Sequence, residues 1–200
     1  GGTVRPHIVW FGERLDPEVL EAAWDAVGRA DLCFVIGTSS LVYPAAALPR
    51  TALEAGIPVV ALFEGWDASG KDGCVNLLMR LIDPRGFKVY AIGAPSKADS
   101  ARPFLWRYAI RIPHRGFMAI FIRSWYGRVL VERAEKLIPE EEWRLAYDDI
   151  VAFERQLLDD GYVLVKFWLH VSKSEQKRRL ERMARDPYES WKVKPDNWRN

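Results

Sequence analysis

The sequence has only two cysteines, three histidines and no apolar run of about 18 residues. Cys33 and Cys74 lie in unrelated contexts, which argues against a disulfide framework or a four-cysteine zinc site and favours a reducing cytoplasm. Without a long apolar run, no membrane span is expected. The chain begins with Gly-Gly, without an initiator Met or a signal-like start, as a fragment would.

The sequence also lacks a large excess of either charge, since its net charge is +2. The charge is nevertheless divided unevenly along the chain. Residues 1–62 contain four Lys/Arg against seven Asp/Glu, and residues 63–200 contain 25 against 20. The basic excess in the second part favours anionic small molecules or polyanions as partners. Nucleic acid is not expected, because the two signs are interspersed.

Apolar runs of strand length alternate with segments of helical periodicity, and no internal repeat or low-complexity segment interrupts them. Strands are predicted at 7–11, 32–36, 58–63, 88–92, 117–122 and 162–169. Helices are predicted at 16–29, 49–55, 74–82, 103–112, 127–137, 139–159 and 172–185. Such alternation is typical of an α/β protein with a parallel sheet and helices on both faces.

The stretch FEGWDASGKDG at 63–73 follows the apolar strand and precedes an apolar helical segment. It fits the phosphate-binding pattern G-x-x-x-x-G-K-[ST] at Gly65, Gly70 and Lys71, but Asp72 occupies the position of the hydroxyl residue. Glycines let backbone N–H groups approach phosphate oxygens, and a helix N-terminus contributes partial positive charge. The context favours a phosphate cradle, and a plain strand-to-helix turn is the alternative.

Three further motifs follow this loop in order: RSWYGRVLVER at 123–133, KFWLHVSKSEQKRRLERMARDP at 166–187 and SWK at 190–192. Together with the loop they resemble the second family of polyphosphate kinases, in particular its polyphosphate:AMP phosphotransferase branch. The resemblance covers about residues 60–200. It implies a P-loop kinase-like α/β/α sandwich with a helical lid near 172–192. It also implies Mg²⁺-dependent phosphoryl transfer between polyphosphate and a nucleoside mono- or diphosphate.

The resemblance assigns roles to individual residues, with Asp67, Lys71 and Arg123 as the catalytic set. Asp67 would position Mg²⁺, directly or through water. Phosphate would be bound by the residues of the loop and by five further arginines: Gly65, Gly70, Lys71, Asp72, Gly73, Arg128, Arg178, Arg179, Arg182 and Arg185. Phosphoryl transfer needs this kind of charge neutralisation and in-line placement. For the basic helix, a solvated face is the alternative.

One position departs from the family's pattern. The family places Asp directly before Arg-Ser-Trp-Tyr, at the end of a strand, and this chain has Ile122 there. The acid is expected to bind Mg²⁺, which isoleucine cannot do. Mg²⁺ needs few protein carboxylates, so binding at Asp67 is compatible with this change. Efficient turnover is not expected.

The first sixty residues carry a second resemblance, in GGTVRPHIVWFGERLDPEVLEAAW at 1–24 and ADLCFVIGTSSLVYPAAALPRTALEAG at 30–56. These segments look like the C-terminal half of the NAD-binding domain of a sirtuin. The resemblance implies NAD contacts at Gly37, Thr38 and Ser39. It also implies an acyl-lysine peptide groove, in which the peptide adds as a strand. The groove residues are Val9, Phe11, Gly12 and Glu13.

The sirtuin glycine-rich loop, catalytic His and zinc cysteines lie N-terminal to this region in that family, and none occurs in the sequence. Deacylation is therefore not expected, and NAD is a cofactor only if this segment is functional. The predicted domains are a partial sirtuin-like segment at 1–60 and a kinase-like domain at 61–200. The alternatives for the whole chain are a fragment of an NAD-dependent deacylase and a non-catalytic chimera. A homo-oligomer is left open.

Overall fold

The computed structural model describes Glu18, Glu21 and the ranges 32–36, 56–193 and 195–198. The chain divides into two compact units, Gly1–Ala30 and Asp31–Asn200. In the first unit the described residues are Glu18 and Glu21, and both are helical. Among the described residues, no helix is long and apolar enough to cross a membrane.

Among its described residues, the second unit contains one sheet of five parallel strands in the order β1-β5-β2-β4-β3. The strands are β1 (Leu32–Ile36), β2 (Val59–Gly65), β3 (Phe87–Ala91), β4 (Met118–Ile122) and β5 (Val163–Leu169). After the central strand β2, the chain runs to the edge strand β3, returns to β4 and then crosses to β5 on the other side of β2. The carboxyl ends of all five strands therefore lie at one edge of the sheet.

Strand β1 belongs to the sirtuin-like part of the sequence, yet it pairs with β5 of the kinase-like part. Leu32 is aligned with Leu164, and Ile36 is aligned with Trp168. One sheet thus includes strands from both segments. The predicted strand at 7–11 and the predicted helices at 16–29 and 49–55 lie outside the described residues, apart from Glu18 and Glu21.

Helices connect the strands of the second unit. They are α1 (Lys71–Met79), α2 (Lys97–Ser100), α3 (Trp106–Ala109), α4 (Glu140–Asp159) and α5 (Lys173–Arg185), with a π-helix at Arg128–Glu132 and 3₁₀ turns at Pro84–Gly86, Ser190–Lys192 and Pro195–Trp198. Helix α4 begins with three glutamates, whose charge suits a helix N-terminus. Helix α5 begins after Ser172, whose hydroxyl accepts a hydrogen bond from the N–H of Glu175.

The sheet is buried on both faces, as its near-continuous apolar strands require. Successive side chains of a strand point to opposite faces, and β2 divides its residues accordingly. Val59, Ala61 and Phe63 pack with α1 on one face. Val60 and Leu62 pack with α4 on the other face. The predicted parallel sheet with helices on both faces is therefore confirmed for the described part of the chain.

Two predicted helices are shorter than their sequence patterns suggest. The segment predicted at 103–112 contains only the four-residue α3. Turns flank this helix, and one of them is closed by a 2.8 Å hydrogen bond from Arg111 N to Tyr108 O. Tertiary contacts dominate here, because Tyr108 is buried and its hydroxyl donates to Ser124 O. The segment predicted at 127–137 is helical over 127–134, with a π-helix at Arg128–Glu132. It closes with bonds from Lys136 N to Arg133 O and from Leu137 N to Glu132 O, with Lys136 at a positive φ of 54°.

A buried ion pair joins α4 to the face of the sheet that this helix covers. Lys166 of β5 donates from Nζ to Glu154 Oε2 at 2.5 Å, and the two side chains are 12% and 10% exposed. Glu154 Oε1 accepts hydrogen bonds from Trp125 Nε1 at 3.0 Å and from the Tyr126 hydroxyl at 2.8 Å. Trp125 and Tyr126 thus pack and hydrogen-bond within the protein core, which holds the segment after β4 in place.

Removal of the lysine should be strongly destabilising. Breaking a buried ion pair leaves an uncompensated charge, which costs about 3–5 kcal/mol. We expect Lys166→Met to lower the free energy of unfolding by about that amount, measured by chemical denaturation. Arg144→Met is the control, because it breaks the exposed Arg144–Glu140 pair, for which a change of about 0.5 kcal/mol is expected. Equal effects of the two variants would contradict this account.

Candidate functional site

The central strand β2 leads into the glycine-bounded loop at the carboxyl edge of the sheet. The loop runs from Gly65, the last residue of β2, to Gly70, the N-cap of α1. Gly65 and Gly70 have φ angles of 130° and 104°, which favour glycine, and Ala68 also has a positive φ of 56°. Lys71 is the first residue of α1. The predicted strand–loop–helix arrangement is therefore present.

Gly65 is required by a close approach of two strands as well as by its φ angle. A Cβ atom at this position would lie 2.1 Å from the backbone oxygen of Leu169, at the end of β5. No side chain fits there unless the backbone moves. The loop can take its path only because residue 65 is glycine.

Gly65→Ala should therefore damage the loop itself. Displaced backbone and a strained φ cost about 1–3 kcal/mol. We expect the free energy of unfolding to fall by about that amount, and binding of a phosphate-rich ligand to be lost. Gly127→Ala is the control, since Gly127 is helical and a Cβ atom added there would meet no atom within 4 Å, so it should be neutral or stabilising by up to about 1 kcal/mol. A Gly65→Ala protein as stable as the parent would refute this explanation.

Lys71 is buried, with 8% of its surface exposed. Its Nζ donates to the backbone oxygens of Gly65 at 2.7 Å and Trp66 at 2.8 Å. Burial lowers the pKa of Lys71 from its usual 10.5, and the nearby carboxylate of Asp67 opposes this change. The ammonium group is thereby held at the start of the loop, on the element predicted to bind phosphate.

Helix α5 holds the rest of the loop. Gln176 donates from Nε2 to the backbone oxygen of Asp67 at 3.1 Å. Arg179 donates from Nη1 to the oxygens of Ala68 at 3.2 Å and Ser69 at 3.0 Å. The sequence prediction assigned Arg179 to polyphosphate and did not include Gln176. Their contacts depend on how α5 packs on the loop, about 110 residues away in sequence.

Asp67 connects the loop to β4 and to the end of the chain. Its Oδ1 accepts a hydrogen bond from Arg123 Nη2 at 2.9 Å, and its Oδ2 accepts one from Asn197 Nδ2 at 2.8 Å. Arg123 follows β4 directly and has a positive φ of 65°, which is uncommon for arginine. Asp67 and Arg123, two of the three predicted catalytic residues, are thus in direct contact.

Glu64 is a member of the site that the sequence prediction missed. Its Oε1 accepts hydrogen bonds from the backbone N–H of Ser124 at 2.6 Å and the Ser124 hydroxyl at 2.7 Å. Burial raises the pKa of Glu64 above its usual 4.5, although the bonds from Ser124 and the charges of Lys71 and Arg123 lower it. A carboxyl group within an otherwise apolar strand was the available signal.

The raised pKa predicts how the stability depends on pH. The folded state holds the Glu64 proton more tightly than the unfolded state does. The resulting contribution of Glu64 to the free energy of unfolding is fully present below about pH 4.5, and it is lost as pH rises through the folded pKa. Gln at this position keeps an acceptor for Ser124 and does not titrate. The stability of Glu64→Gln relative to the parent should therefore increase above about pH 4.5, measured by urea denaturation between pH 4 and 8.

Glu141→Gln is the control for Glu64→Gln, because it removes an exposed carboxylate of α4 and reports the effect of net charge alone. The pH dependence assigned to Glu64 is wrong if the stability difference for Glu64→Gln stays constant or decreases with pH after this correction.

The remaining predicted arginines lie in other surroundings. Arg128 forms ion pairs with Glu132 at 2.8 Å and Glu142 at 2.5 Å, which neutralise its charge. Arg178 is exposed and pairs with Glu175 at 2.7 Å. Arg182 and Arg185 lie in the exposed last turn of α5. Their assignment to phosphate stays a prediction, and for Arg128 the two glutamates compete with any anion.

Ile122 is the last residue of β4 and is aligned with Phe63 of β2 and Ala91 of β3. It is partly buried and packs against the core cluster under α1. Its position is at the carboxyl edge, next to the strand that carries the loop. Within the described ranges, no group of three or more His, Cys, Asp and Glu side chains is arranged to hold a metal ion.

The residues predicted to contact NAD and an acyl-lysine peptide lie outside the described part of the chain. They are Gly37, Thr38 and Ser39, and Val9, Phe11, Gly12 and Glu13. Asp72 and Gly73 follow Lys71 in the first turn of α1, where Asp72 is exposed.

A central parallel strand followed by this loop and helix defines the class of P-loop kinase-like α/β/α proteins. The model of the polyphosphate kinase 2 (PPK2) family matches residues 39–200, and the chain belongs to this family. A second model, that of the Sir2 family, matches residues 1–44.

Curated relatives and a solved structure agree with this assignment. A polyphosphate:AMP phosphotransferase of Pseudomonas syringae pv. tomato is 44% identical over 142 residues, 71% of this chain and 28% of that protein. An AMP/ADP-polyphosphate phosphotransferase of Meiothermus ruber is 38% identical over 136 residues, 68% of this chain and 51% of that protein. The polyphosphate kinase 2 structure from Arthrobacter aurescens TC1 is similar with a TM-score of 0.71 at 27% identity, covering 98% of this chain and 69% of that chain. The chain therefore spans about half or less of the length of these two curated relatives.

Proposed function

We propose that this chain carries the phosphate-binding and phosphoryl-transfer region of an enzyme that acts between polyphosphate and a nucleoside mono- or diphosphate. The observation that carries the proposal is the loop from Gly65 to Gly70, with the buried ammonium of Lys71 at the start of α1. The names of the similar phosphotransferases support the substrate class.

The chain's own residues would act on a bound phosphate chain through position and charge. Loop amides and the N-terminus of α1 would bind phosphate oxygens, and Lys71 would neutralise part of their charge. The guanidinium of Arg123 forms an ion pair with the Asp67 carboxylate of the loop, and its side chain is half-exposed. Arg123 can therefore turn its guanidinium from the carboxylate to a phosphate group. Phosphoryl transfer depends on this kind of positioning and neutralisation more than on covalent chemistry.

Mg²⁺ fits this site with a single carboxylate, that of Asp67, as the ligand from the protein. Asp67 extends from the loop, and its side chain is 30% exposed. Mg²⁺ keeps several waters and is commonly held by one or two carboxylates together with substrate phosphates. Asp67 would hold the ion directly or through water, in competition with Arg123 and Asn197. The ion would supply charge neutralisation of the phosphates when bound.

Ile122 should limit the reaction rate, because an acid at the end of β4 would add a second carboxylate at the same edge as Asp67. We expect the parent to be weakly active or inactive, and Ile122→Asp to raise polyphosphate-driven phosphorylation of AMP or ADP by about 10-fold or more. Ile122→Asn is the matched control, since it has the same shape as Asp without the charge. Robust activity of the parent without any gain in Ile122→Asp would overturn this prediction.

The Sir2 match over residues 1–44 supports a second proposal, for the first part of the chain. We propose that residues 1–60 are a sirtuin-derived segment joined to a kinase-like domain at 61–200, in which Gly37, Thr38 and Ser39 would be the residues that contact NAD. Melting temperatures measured with tripolyphosphate, ATP and NAD, with and without Mg²⁺, distinguish the proposals. Stabilisation by NAD alone would favour a deacylase fragment, and stabilisation by none of them would favour a non-catalytic chimera.

A further inference from the structure

Five consecutive backbone oxygens of the loop, from Gly65 to Ser69, accept hydrogen bonds from side chains. Lys71 binds the first two, Gln176 binds the third and Arg179 binds the last two. Donors outside the loop, on α1 and α5, therefore satisfy all five of these oxygens. Unsatisfied backbone oxygens are costly to bury, so these donors stabilise this conformation of the loop over others.

This arrangement determines where the amide N–H groups of the loop point. Across a trans peptide, the C=O of one residue and the N–H of the next point in opposite directions. With the oxygens of Asp67, Ala68 and Ser69 turned toward α5, the N–H groups of Ala68 and Gly70 face away from that helix. The amide of Ser69 is an exception, because it closes a turn on Trp66 O at 3.2 Å. A row of N–H groups on one side of a loop is the structure that binds an anion.

Arg179 is itself held in position by its own helix. Glu175 Oε1 accepts a hydrogen bond from Arg179 Nε at 2.6 Å, which leaves Nη1 directed at Ala68 and Ser69. Arg179 and Gln176 lie on one side of α5, where Gln176 is 8% exposed. Helix α5 is therefore attached to the loop through backbone contacts that do not require a ligand.

We infer that Gln176 and Arg179 are positioning residues, which hold the loop in its anion-binding shape before any ligand arrives. This inference rests on the proposed function. It differs from the role that the sequence suggested for Arg179, in which the guanidinium covers polyphosphate directly. A guanidinium is suited to the positioning role, because its planar set of donors spans two neighbouring oxygens, whereas an ammonium group is a single point of charge.

The test uses Arg179→Lys, which keeps the positive charge, and Arg179→Gln, which removes it. Lys177→Gln is the matched control, because it removes one exposed charge from the same helix. Gln176→Glu is an independent variant, since it keeps the size of the side chain and removes the donor to Asp67. Two quantities are measured for each full-length variant: the dissociation constant for inorganic tripolyphosphate, and the ¹⁵N order parameters of the amides from Trp66 to Gly70 without ligand.

We expect both Arg179 variants and Gln176→Glu to weaken tripolyphosphate binding by about 10-fold or more. In the same variants the order parameters of the loop should fall from about 0.85 toward 0.6, while those of β2 and α4 stay constant. Lys177→Gln should leave the order parameters unchanged and alter the dissociation constant less than about 3-fold, as expected for an exposed charge.

Two results would overturn the inference. One is binding by Arg179→Lys equal to that of the parent, which would show that the charge alone matters. The other is weaker binding with unchanged order parameters of the free loop, which would indicate direct contact with phosphate. If the parent does not bind tripolyphosphate, the proposed function fails. The order parameters still test the positioning role of Gln176 and Arg179, because a more mobile loop in the variants supports that role and an unchanged loop refutes it.

Discussion

The structure of the site depends on the need to satisfy the backbone oxygens of one short loop. A loop that turns its N–H groups toward an anion must turn its oxygens the other way, and those oxygens need donors. Here Gln176 and Arg179 from α5 are the donors to the oxygens of Asp67, Ala68 and Ser69, while Lys71 binds the oxygens of Gly65 and Trp66. The most basic helix of the kinase-like part thus contributes to the shape of the loop as well as to the charge around it.

The parallel sheet explains why distant residues meet at this loop. All five strands end at one edge, so the residues that follow β2, β4 and β5 become neighbours. Arg123 reaches Asp67, and Leu169 lies directly against Gly65. Glu64 holds Ser124 through two hydrogen bonds, so the loop after β2 and the segment after β4 are fixed to each other.

Charge at the site is distributed in favour of an anionic ligand. Lys71 and Arg123 are basic, and Asp67 already shares its oxygens with Arg123 and Asn197. Ile122 adds an apolar side chain where an acid would complete a pair of carboxylates. The described side chains around the loop therefore carry more positive than negative charge available to a ligand.

The sequence by itself determined the fold class and the strand–loop–helix, because apolar periodicity and the spacing of Gly65, Gly70 and Lys71 are local properties. The family followed from the resemblance of four motifs between residues 63 and 192. The sequence did not determine that β1 joins the sheet, that α3 has only four residues, or that Arg128 pairs with glutamates. Only the tertiary structure decided that Arg179 binds the loop's oxygens and that Glu64 binds Ser124. Those partners lie about 60 to 110 residues apart in the chain, and the packing of α5 and β4 against β2 brings them together.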